Sequence, residues 1–81
     1  MLNLNYDARF DVLSVGLGDM RHSIGDEEYG GLVVMRDEIS NIITGLTIFG
    51  FAKKFKDRSL PVWPSGVCID VERDILPYVK I

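Results

Sequence analysis

Cysteine and histidine each occur once in this 81-residue sequence, as Cys68 and His22. A single cysteine excludes an intramolecular disulfide, and one thiol with one imidazole falls short of the several such ligands a zinc site recruits. No apolar run approaches the roughly 20 residues that a membrane helix requires. The opening MLNLNYDARF has no basic segment leading into an apolar one, so no signal peptide is expected. Cationic charge is scarce too. Nine Lys and Arg against twelve Asp and Glu leave a net charge of -3, whereas duplex nucleic acid is gripped by a basic face. The glycines of VGLGD and EYGGL form neither a Walker-type loop, which ends in Lys-Ser/Thr, nor a GxGxxG before a helix. The expectation from these absences is a cytoplasmic protein with no membrane segment, no cofactor, no metal and no enzymatic activity.

What is present is apolar. Hydrophobic residues make up 47% of the chain, too many for intrinsic disorder, which needs low hydrophobicity and high net charge. The length allows one small domain, residues 1–81. A domain of this size buries only about 60% of the surface its unfolded chain exposes, so its core is thin. Pairing with another chain would complete that burial, and a homodimer is expected.

The hydrophobic pattern is mostly of period two, the signature of strands. Leu2, Leu4 and Tyr6 alternate with Asn3 and Asn5. After DARF the alternation resumes, with Leu13, Val15 and Leu17 on one side and the small Val12, Ser14 and Gly16 on the other. Two such runs across a short polar break predict a hairpin. Gly18–Glu28 is polar, acidic and punctuated by glycine, and it reads as a loop. A third strand is predicted over Tyr29–Arg36, and a fourth over NIITGLTIFGF, which is rich in β-branched residues. This fourth strand is apolar on both faces, with Ile42, Leu46 and Ile48 against Ile43 and Phe49. In FAKKFKDR the period lengthens to a short amphipathic helix. Pro61 and Pro64 then enforce an extended connector around Trp63. VCIDV alternates again and predicts an edge strand. ERDILPYVKI reads either as a helical turn cut by Pro77 or as an arm. The fold class expected is α+β and β-rich: a small antiparallel sheet of four to five strands, a β-meander, with one short helix after strand four.

Tyr6, Asp7, Asp11, Leu13 and Val15 make YDARFDVLSV similar to the YD-x-x-x-D-x-L-x-(I/V) opening of the small prokaryotic domain of unknown function family 2283. The features that follow also resemble that family. They are an acidic lead-in (Glu27, Glu28), a glycine-plus-aliphatic strand (Gly31 to Val34), an acidic turn (Asp37, Glu38) and an aliphatic-Gly-aliphatic run (Ile43, Gly45, Leu46, Ile48) before a helix. The resemblance covers about residues 2–55. The chain departs from the pattern in its acidic turn, where Ile39 stands in place of Gly or Asn. The resemblance implies a small β-rich fold and no established activity. Some relatives are suspected members of toxin–antitoxin or phage-related gene pairs, which implies an antitoxin-like role.

Three groups of residues invite chemistry. Asp7 and Asp11 bracket Ala8, Arg9 and Phe10, and two aspartates at this spacing shape a turn more readily than they hold a cation. His22, beside Ser23 and the carboxylates of Asp19, Asp26, Glu27 and Glu28, is the only candidate for a general base or a small metal-dependent enzyme, and it has no second imidazole. Lys53, Lys54, Lys56 and Arg58, interleaved with Phe51 and Phe55 and followed by Trp63, could bind single-stranded nucleic acid by phosphate contact and stacking. The spacing of the phenylalanines is equally that of a buried helix face. The leading expectation is a protein–protein interaction or regulatory module, a self-associating sheet with a possible small protein partner. Its contacts are expected at Ile42, Ile48, Phe49 and Trp63. Nucleic-acid binding is the alternative and a His22-centred enzyme the third.

Overall fold

Alternating apolar and polar residues become strand in four of the places where the sequence displays them. The computed structural model describes residues 3–19, 21–28 and 30–80. In it β1 (Asn3–Asp7), β2 (Val12–Gly16), β4 (Leu32–Asp37) and β5 (Ile43–Phe49) match predicted strands, and α1 (Phe51–Lys56) is the predicted helix. Leu2 and Tyr29, predicted to begin two strands, lie outside the described residues. β4 starts only at Leu32 because Gly30 and Gly31, at φ 82° and 76°, form the turn before it.

A further strand, β3 (Ser23–Glu28), occupies the segment expected to be a loop. It lies at the sheet edge, where one side of the backbone needs no partner and polar side chains are tolerated. The α+β class and the antiparallel sheet are as expected, with the helix following strand five, since β3 raises the count by one. The strand order is β1-β2-β5-β4-β3, all neighbours antiparallel, so the sheet is not a sequential meander: β5 enters between two hairpins. VCIDV contributes no strand. Its alternation survives as burial, with Val67, Ile69 and Val71 half-buried and Cys68 and Asp70 exposed, but it pairs with no strand.

One face of the sheet carries the core. Rows across the strands place Tyr6, Leu13, Ile48 and Leu32 together, then Leu4, Val15, Leu46 and Val34. Phe51 of α1 and Ile75 of the C-terminal segment close over them, each fully buried. Leu60, Trp63, Val67, Ile69 and Leu76 pack around this cluster. The tail resolves into a wide π-type turn, Val71–Ile75, running into a 3₁₀ turn, Leu76–Tyr78, so the helical reading of ERDILPYVKI holds. Asp70 starts this turn, its Oδ1 accepting from the Glu72 and Arg73 N–H groups, while its own N–H donates to Asp74 Oδ2. The reciprocal pair is a capping box stretched by one residue to suit the wider turn. The Arg73 guanidinium, and then that N–H, draw the Asp74 carboxyl down to about 2.

A β-bulge sets the faces of β5. Arg36 pairs with Ile43 and Met35 with Gly45, leaving Thr44 as the extra residue. Its carbonyl accepts from the Leu17 and Gly18 N–H groups, and its buried hydroxyl is paired with that of Ser23 at 2.6 Å. The bulge breaks the parity expected for this strand. Ile43 packs on the core beside Leu46 and Ile48, and Ile42 is left 66% exposed.

Candidate functional site

The residues singled out in the sequence are separated by the fold. Ile48 is 0% exposed and belongs to the core, which corrects its assignment to a contact surface. Trp63 is half-buried against the same core. Phe49, at 50% exposure, lies on the other face of the sheet, while Ile42 lies beyond the far end of β5, seven residues and about 23 Å away. The four do not make one surface.

The two aspartates of the opening turn divide the work. Asp7 Oδ1 accepts from the backbone N–H of Arg9 and Phe10, the expected turn bond. Asp11 does more than close the turn. Helix α1 starts at Gly50, which has no side chain to cap it, and Asp11 supplies the missing acceptor from the β1–β2 turn. Its Oδ1 accepts from the Ala52 N–H at 2.8 Å and its Oδ2 from the Lys53 N–H at 3.2 Å. Its backbone carbonyl accepts from the Gly50 and Phe51 N–H groups. The Tyr6 hydroxyl donates to Oδ1 at 2.5 Å. Partial burial pulls the Asp11 carboxyl upward, but the Tyr6 hydroxyl, the two helix N–H groups and the charge of Lys56 together outweigh it and leave it below the usual carboxylate range. The same bond to Asp11, then burial, then the charges of Asp11 and Asp7 push the Tyr6 phenol up to about 12.

The sign follows from which state holds the proton. Between pH about 10 and about 12 the folded chain keeps the Tyr6 proton and the unfolded chain releases it. The Tyr6 contribution is therefore complete below pH 10 and lost as pH rises toward 12. The gap in Tm between the wild type and Tyr6→Phe should narrow across that window, as followed by circular dichroism. A constant gap would contradict the assignment.

The basic segment is divided between the core and the solvent. Phe51 is fully buried, and Phe55 is half-buried and stacked on it at 6.4 Å. Lys54 Nζ is used by the Phe49 carbonyl at the end of β5, leaving Lys53, Lys56 and Arg58 exposed. His22 is exposed, its carbonyl accepts from the Glu38 N–H, and the Ser23 hydroxyl is turned to Thr44. Among the described residues no three of His, Cys, Asp and Glu converge where they could hold a metal.

What the fold does leave available is the second face and the edges of the sheet. Its rows are Asp7, Val12 and Phe49; then Asn5, Ser14, Thr47, Val33 and Glu27; then Asn3, Gly16, Gly45, Met35 and Gly25. None of Val12, Val33, Met35 and Phe49 is among the residues packed on the core; Phe49 is exposed and the other three are partly exposed. Phe10, 68% exposed with the Arg9 guanidinium 5.4 Å from its ring centre, joins Val12 and Phe49 around a shallow hollow of about 560 Å³ beside β1. Neither periodicity nor composition could mark Phe10 or Val12, because the turn and the smaller face of β2 both read as neutral. A second open cleft, of about 590 Å³, lies at the other end of the sheet, with Ile42 and Cys68 on its lining. No helix among the described residues is long and apolar enough to cross a membrane. No family model, no curated protein and no solved structure matches this chain.

Proposed function

We propose that this chain is a small cytoplasmic protein–protein interaction and regulatory module that self-associates. The observation that carries the reading is one-sided cover. Helix α1 and the segment after it close over the Leu13–Ile48 face, while on the other Phe10 and Phe49 stay exposed and Val12, Val33 and Met35 partly exposed. A run of apolar groups on an open sheet, rimmed by Asn5, Asp7 and Ser14, suits contact with another protein better than turnover of a small molecule. Sedimentation equilibrium tests the self-association. The weight-average mass should climb from one chain toward two as concentration rises, and a mass fixed at one chain over the whole range would overturn the reading.

The likeness to the domain of unknown function family 2283 supports a second proposal, membership of that family. Its test is a member's structure. The strand order β1-β2-β5-β4-β3, with an aspartate of the first turn capping the helix, should recur there, and another strand order would exclude it.

A further inference from the structure

The two edges of the sheet differ in what they could pair with. β3, SIGDEE, has three acidic residues, so joining it to the β3 of a second copy would bring six carboxylates onto adjoining strands, an arrangement that natural edges use to prevent pairing. β1 carries one charge in five residues, Asn3–Asp7, and contains neither lysine nor proline to block addition. Among the described residues it pairs with β2 alone, and its exposure alternates along its length, with Asn3, Asn5 and Asp7 outside and Leu4 and Tyr6 half-buried.

We propose that β1 is the self-association edge: two copies pair β1 with β1, antiparallel, about a two-fold axis through Asn5, forming one continuous sheet. This rests on the self-association proposed above and names its surface. The register is self-complementary. It sets Asn5 opposite Asn5, Leu4 opposite Tyr6, and Asn3 opposite Asp7 in both directions, so each carboxylate meets an amide that can donate to it. The two Asp7 residues end four residues apart along the pair, about 14 Å, beyond the roughly 8 Å screening length at physiological salt. Leu4 and Tyr6 of each copy extend the core row of the other. The open faces fall on the same side, so the hollows lined by Phe10, Val12 and Phe49 form one bipartite surface across the joint.

Asn5→Asp tests it. Two carboxylates would then face each other across the axis, each with an Asp7 of the other copy diagonal to it, and self-association should weaken about tenfold at low salt. Mixing Asn5→Asp with Asn5→Lys should restore a heterodimer at least as tight as the wild-type pair. Asn5 is exposed, so at concentrations low enough to keep every form monomeric the Tm of each variant should match the wild type and show that the fold is intact. A wild-type chain that stays monomeric would overturn this proposal together with the reading beneath it. A wild-type dimer that Asn5→Asp leaves unchanged, or an Asn5→Asp and Asn5→Lys mixture that gives no heterodimer, would overturn the edge alone. In that event loss of the dimer in Phe49→Ser would assign the contact to the open face.

Discussion

Ile75→Ala should lower the stability of the fold by about 2–5 kcal/mol, the range for truncating a fully buried isoleucine. A chain of this length is stable by only about 4–12 kcal/mol, so the variant should stand near the edge of unfolding at 37 °C. Ile75 is 0% exposed, although it lies 26 residues after the last strand ends at Phe49. It enters the core from a turn with no partner strand, held by the reciprocal bonds of Asp70 and Asp74. Urea unfolding followed by tryptophan fluorescence measures the loss, with Trp63 packed on the same cluster as reporter. Val62→Ala, at a position 90% exposed in the connector, is the control and should change little. Equal midpoints for the two variants would mean that the segment after α1 contributes nothing to the core.

Asp11→Ala should cost about 2–3 kcal/mol, combining the loss of a helix cap with the loss of a hydrogen bond to a charged acceptor. A drop of roughly 10–20 °C in Tm follows for a domain this small. The residue also sits at φ 56°, where alanine is strained and aspartate, asparagine or glycine is tolerated. Two companions separate the causes. Asp11→Gly relieves the backbone but removes the acceptor, and Asp11→Asn keeps a carbonyl acceptor but no charge. Stability should fall in the order wild type, Asn, Gly, Ala. If Gly matched the wild type, the backbone and not the cap would account for the residue.

The sequence made the strands legible wherever one face was apolar and the other polar, as in β1 and β2. It hid β3 because Ser23–Glu28 gives only Ile24 to the apolar count, and an edge strand can fold with that little. It overstated VCIDV for the converse reason: burial alternates there, but alternation reports which side chains face inward and not whether the backbone has a partner. β5 was legible as central, since both faces are apolar, yet its inner face was not. Ile48 pairs with Leu13 and so belongs inside, and the bulge at Thr44 exchanges the expected places of Ile42 and Ile43. The acidic turn at Asp37 has its own resolution. The left-handed residue is Asn41, at φ 63°, with Asp37 bonding the Ile39 and Ser40 N–H groups, so Ile39 need not adopt that conformation. The same five-residue turn joins β1 to β2, with Asp7 at its start and Asp11 at its left-handed end. The second function of Asp11 spans 41 residues to Ala52. Its one trace in the sequence is a helix that begins after glycine with no Ser, Thr, Asp or Asn in the capping position.

The insertion of β5 between the two hairpins governs how the chain must be born. β1–β2 and β3–β4 are each local and can close as soon as they leave the ribosome, but neither touches the other until β5 emerges. From the end of β4 at Asp37 to the end of β5 at Phe49, synthesis takes on the order of a second, and Ile75 follows later still. Throughout that interval β2 and β4 each present an unpaired inner edge beside an uncovered apolar face. Nascent chains on one message are most exposed to each other at this stage, so a translational pause while β5 is still within the ribosome should raise the insoluble fraction, whereas the same pause after β5 has emerged should not.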